Sequence, residues 1–148
     1  MQATKITIII LMMSLCSIAR QHSGADDIVG VWQVGSKEAR VTIFKTGNYY
    51  YGKISWLKNP NDDSGKPKTD IKNHDEQQRG KHVMGLLLLK SFEYNAHDNI
   101  WENGTIYDPK NGKTYSCKLT MTNMNTLEVR GYVGISMIGR TDIWTKVE

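Results

Sequence analysis

Gly30-Val31-Trp32 is the stretch of this 148-residue chain whose reading decides the fold. A glycine lets a strand approach its neighbour closely. An indole two residues on can fill the taper where the strands of a small closed barrel converge. The far end of the chain supplies a matching aromatic strand, Gly139-Arg140-Thr141-Asp142-Ile143-Trp144. Between the two lie only short β-like runs and turns, with no long amphipathic helical pattern. These features imply a barrel plugged at one end by Trp32, with its first strand beside its last, near Ile143 and Trp144.

Working outward, Ile28–Val34 reads as the first strand and Ala39–Lys45 as the second, with Val41 and Ile43 on one face. Thr46-Gly47-Asn48 is a hairpin turn. Tyr49–Leu57 is the third strand, with Tyr50, Gly52, Ile54 and Trp56 on one side. Val83–Phe92 is nearly continuous apolar sequence and calls for burial on both faces. Ile100–Tyr107, Lys113–Met121, Thr126–Val133 and Ile135–Val147 complete eight strands. In Lys113–Met121 the alternation places Tyr115, Cys117, Leu119 and Met121 inward. Regular spacing and tight turns favour one antiparallel up-and-down meander. Lys58 to Lys81 is polar and holds Pro60, Gly65 and Pro67. It reads as a long loop with one short helix, capped by Asn73 with Glu76 three residues on and ended by Gly80.

Residues 1–19 read as an export signal: Lys5, then an apolar stretch from Ile6 to Leu15, then Ser17-Ile18-Ala19 before a cut. The apolar stretch is shorter than the roughly 20 residues that span a bilayer, so no membrane span is expected. Leu15 stands where lipid attachment at Cys16 would call for Gly or Ala, so plain cleavage is expected. Residues 20–148 are then one domain, periplasmic or secreted. The net charge of +4 is mild, and the basic residues are scattered among acids, which argues against nucleic acid. Cleavage leaves Cys117 without an internal partner, so packing alone must hold the fold.

Two constellations carry the candidate chemistry. Gly30 and Trp32 with Arg130 or Arg140 form a structural clamp at the barrel end, a guanidinium over an indole. Trp56, Tyr50, Tyr107, Tyr115, Met121 and Trp101 either line a cavity or fill the core, since an eight-stranded barrel does one or the other. His74 and His82 have no recognised metal-ligand spacing. Asp70, Asn73 and Asp75 either form a polar loop surface or hold the loop down. Cys117 on an apolar face is an inert thiol rather than a nucleophile. No Ser/His/Asp arrangement and no phosphate loop is present, so neither an enzyme nor a cofactor is expected.

The chain also resembles an uncharacterised exported bacterial family with a lipocalin-like barrel, one of the domain-of-unknown-function families. The matching residues are Gly30-x-Trp32, Gly52-Lys53-Ile54-x-Trp56, Asp70-x-x-Asn73, Gly85-Leu86, Gly104-x-Ile106-Tyr107-Asp108-Pro109, Gly112-Lys113-x-Tyr115 and Arg130-Gly131-Tyr132-x-Gly134. Gly139-Arg140-Thr141 and Trp144 complete them. The sequence departs from lipocalins proper in stopping just after the last strand and in placing Thr141-Asp142 too late to supply their Thr-Asp motif. The resemblance implies fold and export, and ligand binding by analogy.

The expected function is therefore binding of a small, partly apolar molecule in the bacterial envelope. Entry is expected at the mouth opposite Trp32, with the polar loop as lid and Trp56 as the leading contact. The alternative is a protein-interaction or envelope-maintenance module whose barrel is solid and holds no ligand.

Overall fold

A computed structural model describes residues 24–147. The leader expected at residues 1–19 lies outside the described residues. One 3₁₀ turn, Ala25–Ile28, precedes eight strands: β1 Gly30–Gln33, β2 Ala39–Thr46, β3 Tyr49–Leu57, β4 Leu87–Asn95, β5 Ile100–Asp108, β6 Lys113–Asn123, β7 Thr126–Tyr132 and β8 Gly139–Lys146. Each strand pairs antiparallel with the next, and β1 pairs with β8, closing the barrel. The closing pair sits two residues further along β8 than expected, with Trp32 opposite Lys146 and Gln33 opposite Thr145. Among the described residues no helix is long and apolar enough to cross a membrane.

Two strands start later than their apolar composition predicts. β4 begins at Leu87, not Val83, because Gly85 takes φ 85° and turns the chain. β8 begins at Gly139, not Ile135, because Gly134 at φ 76° opens a loop that Ile138 closes by donating to the Ile135 carbonyl. Apolar composition favours extension, but the residues just after each reversal must follow the turn.

The core is one cluster drawn from every strand, including Trp32, Val41, Tyr50, Leu89, Phe92, Trp101, Cys117, Leu119, Val129 and Trp144. Gly104 faces the barrel interior opposite Cys117, and a Cβ there would lie 2.4 Å from the Phe92 ring. A Cβ on Gly52 would meet the Leu89 side chain at 2.8 Å. Two strand glycines are thus matched to two large side chains that use the space they leave. Cys117 is fully buried, and burial pushes its thiol up to about 12, as the inward placement of β6 predicts.

The chain before β1 plugs one end. Trp32 Nε1 donates to the Ile28 carbonyl at 2.8 Å, and Trp101 Nε1 to the Ala25 carbonyl at 3.1 Å. Lys146 Nζ donates to the Asp27 carbonyl at 2.9 Å. Asp26 accepts from Lys45 and from the Tyr50 hydroxyl, and these bonds, Tyr50 first, hold its carboxyl below the usual range. An indole has one donor and no acceptor. Burying two of them therefore requires two carbonyls at this height, and the 3₁₀ turn supplies them.

Candidate functional site

Strand alternation puts Tyr107 on the outer wall of β5, paired with Thr114 of β6. It is nonetheless buried, because the β3–β4 loop lies over it. Asp70 of that loop is the one buried charged side chain among the described residues. Its two oxygens accept from the Tyr107 hydroxyl at 2.8 and 2.9 Å, and Asn73 Nδ2 donates at 2.7 Å. A buried carboxylate is costly unless hydrogen-bonded, so these neutral donors fasten the loop to the wall. Burial, then the bond to Asp70, pushes the Tyr107 hydroxyl up to about 12.

The loop is ordered by its own backbone. Asp70 N donates to the Lys81 carbonyl and Val83 N to the Lys68 carbonyl, both at 2.9 Å, so its two arms form a short ladder. Asp62 Oδ1 accepts from the Ser64 amide and hydroxyl and from the Lys66 amide, tying the first bend. The expected helix shrinks to one 3₁₀ turn, Glu76–Gln78, capped by Asp75. Asn73 does not cap it: its side chain donates to Asp70 and accepts from the Asp75 amide.

Between this loop and the outer wall runs an open groove of about 1030 Å³. Met84, Leu86 and Leu87 give it an apolar side. Lys81 and Lys90 give it positive charge, His74 and His82 add ring nitrogens, and Asp75 is its carboxylate. A second, smaller cleft of about 450 Å³ lies beside the plug, between Lys45, Tyr49, Tyr50, Glu93 and Tyr94. The groove has none of the buried core cluster in its lining, whereas the smaller cleft reaches the core at Tyr50. Among the described residues no three His, Cys, Asp or Glu side chains are grouped to hold a metal ion.

The residues singled out from sequence take different places. Trp56 does not look into the barrel. A bulge in the β2–β3 pairing sets Val41 opposite Ile54 but Arg40 opposite Trp56, which moves the indole to the outer face. There it is 37 % exposed, with the Arg40 guanidinium 5.0 Å from its ring centre. Tyr50, Trp101 and Met121 are buried at the plugged end. Tyr50 meets Trp101 edge-on at 6.4 Å, so their rings pack against each other in the core, while Tyr50 also borders the smaller cleft beside the plug. Tyr115 is half-buried near the open end, where its hydroxyl accepts from Asn111.

The clamp over Trp32 is also made differently. Gly30 pairs with Ile43 at the plugged end as expected, and Trp32 is fully buried. The cation, however, is Lys146, with Nζ 5.4 Å from the ring centre. Arg130 and Arg140 lie toward the opposite end of the barrel, where Gly131 pairs with Arg140. The register at which β8 closes on β1 decides this. The signal for Lys146 was in the sequence, since it shares one face with Trp144 by alternation. Asp70 takes the second of the two roles open to it, holding the loop down, and Tyr107 receives it on the outer wall instead of lining the interior.

A closed eight-stranded meander with a plugged end and a long strapped loop defines a lipocalin-like barrel. A bacterial family described as "Uncharacterized protein conserved in bacteria (DUF2147)" matches residues 30–146. The chain belongs to that family. Among solved structures, it is similar to protein HP1028 from the human pathogen Helicobacter pylori, described as belonging to the lipocalin family. The TM-score is 0.70 at 19% identity, over 81% of this chain and 82% of that one. At that identity the likeness concerns the fold. No curated protein matches the chain.

Proposed function

We propose that this chain is a non-enzymatic binding protein of the bacterial envelope, exported by its leader, that holds a small, partly apolar anion in the groove beneath the β3–β4 loop. The observation that carries this reading is the contrast between a side-chain-filled barrel and an open groove outside it. A lipocalin-like fold supports binding by analogy, and its usual ligand position is the barrel interior. Here Phe92 seated on Gly104, and Tyr50 and Trp101 at the plug, argue against that position. In the groove, Met84, Leu86 and Leu87 suit an apolar segment, and Lys81 and Lys90 suit a carboxylate or phosphate.

Native mass spectrometry of protein taken from its own envelope tests for a resident molecule. Calorimetric titration with laurate then tests the groove. Lys81→Glu with Lys90→Glu is expected to weaken binding at least about tenfold, by reversing both charges at the rim. Retained affinity in that double variant, or no binding and no resident molecule, would reject the groove. The filled core itself favours a second reading, an interaction or envelope-maintenance module, and a ligand-free result would select it.

A further inference from the structure

The β7–β8 connection differs chemically from the other short connections of the barrel. Those carry Lys37 and Glu38, Asn48, His97 and Asp98, Lys110 or Asn125. Residues 133–138 read Val-Gly-Ile-Ser-Met-Ile and hold no charge. Val133, Ile135, Met137 and Ile138 are 71, 58, 85 and 70 % exposed. Four large apolar side chains at the tip of one loop form a patch that a soluble surface ordinarily avoids.

The backbone of this tip is unusually well supplied with internal donors. Ile138 N donates to the Ile135 carbonyl at 3.1 Å. Arg130 donates from Nε to the Ser136 carbonyl at 2.6 Å and from Nη2 to the Met137 carbonyl at 3.2 Å. Three successive carbonyls thereby have donors within the protein, which lowers the cost of taking them out of water. The remaining bond of Arg130, from Nη1, goes to the Thr141 hydroxyl at 2.8 Å. Among the described residues its hydrogen-bond partners are all neutral oxygens. Arg140, exposed on the neighbouring strand opposite Gly131, adds a second guanidinium at the base of the tip. The acids on these two strands are Glu128, two residues before Arg130 on the same face of β7, and Asp142, whose carboxylate accepts from Gly35 N and Trp144 Nε1.

We propose that this loop is a membrane-docking tip: its apolar side chains enter the interface of an anionic bilayer while Arg130 and Arg140 meet the headgroups. The charge pattern selects this occupant. Arginines at the foot of an apolar tip complement phosphate. A second copy related by a twofold would instead bring like charges together. A short apolar tip with a basic base also matches the way interfacial segments bind, combining modest apolar burial with attraction to anionic lipid.

The test is co-sedimentation of the full chain, recovered from the envelope of the producing cell, with vesicles of phosphatidylcholine alone or with phosphatidylglycerol added. Every variant is exported by the same leader and recovered after the same processing, so a difference between variants comes from the substitutions. Binding is expected with phosphatidylglycerol and not without it, and to fall as salt is raised. Replacing Ile135, Met137 and Ile138 together by Ser should weaken it at least about tenfold, and Arg140→Gln severalfold. Near-ultraviolet circular dichroism and the melting temperature of each variant establish that the barrel is intact. Equal binding by the triple variant, equal binding to both vesicles, or no binding would overturn the proposal. So would a concentration-dependent dimer in sedimentation equilibrium that the triple variant abolishes, with no vesicle binding by either protein.

Discussion

Gly104→Ala asks directly whether the barrel is filled. The added Cβ would lie 2.4, 2.5 and 2.6 Å from Phe92 Cγ, Cδ2 and Cδ1. Carbon atoms pack at about 3.5–4.0 Å, so the ring must retreat by roughly 1 Å. Phe92 is fully buried and belongs to the continuous core, so its retreat displaces other side chains. The cost should fall in the upper half of the range for overpacking, about 2–3 kcal/mol. For a domain of this size that is roughly 10 °C in melting temperature. Urea denaturation of Gly104→Ala, Phe92→Leu and the double variant measures it. The double variant should be destabilised less than the sum of the two single changes by at least about 1 kcal/mol, because Leu leaves room for the new methyl. A loss below about 0.5 kcal/mol for Gly104→Ala, with no coupling to Phe92, would falsify the filled barrel and restore a central ligand cavity.

Trp32→Ala should destabilise by about 3–5 kcal/mol in chemical denaturation, as for emptying a large aromatic core site, and a loss below about 1 kcal/mol would remove its role as plug. Cys117, buried with its thiol raised to about 12, should react slowly with a thiol reagent in the native protein and quickly in urea; fast native labelling would invert the inward face of β6. The Tyr107 hydroxyl, near 10 when unfolded, is raised to about 12 in the folded protein. Its contribution to holding the loop is therefore complete below about pH 10 and is lost as pH rises through about 12. Protection of residues 68–83 against hydrogen exchange, taken relative to the intrinsic base-catalysed rate at each pH, should fall over that window, and Tyr107→Phe should remove that fall; unchanged protection in the native protein would mean that the Asp70 contact does not fasten the loop.

The strapped loop and the plug explain how a short-stranded barrel with no internal disulfide among its described residues is held together. The plug uses backbone carbonyls to satisfy two buried indoles. The strap uses one buried carboxylate to bring a long polar segment against an otherwise exposed wall. Each attachment leaves a cleft at its edge, and the larger one is the candidate site. The apolar β7–β8 tip lies toward the end opposite the plug, on a different part of the barrel from the groove residues.

Sequence alone determined the strand number, the meander order, the hairpin turns and the inward face of β6. These depend on period-two alternation and on turn chemistry, both of which are local. It also identified Trp32 as a buried end residue, because its glycine and its place on the first strand belong to one short stretch. Tertiary structure decided the rest. A bulge turned Trp56 outward, since one extra residue reverses the face of every later residue in the strand. The register of closure chose Lys146 over Arg130 and Arg140, since it depends on two strands more than a hundred residues apart. Asp70 became a buried anchor only because Tyr107 stands beneath it, a pairing 37 residues apart in sequence. Whether the barrel is hollow rested on the fit of Phe92 against Gly104, a matter of contact distances that neither residue's type specifies on its own.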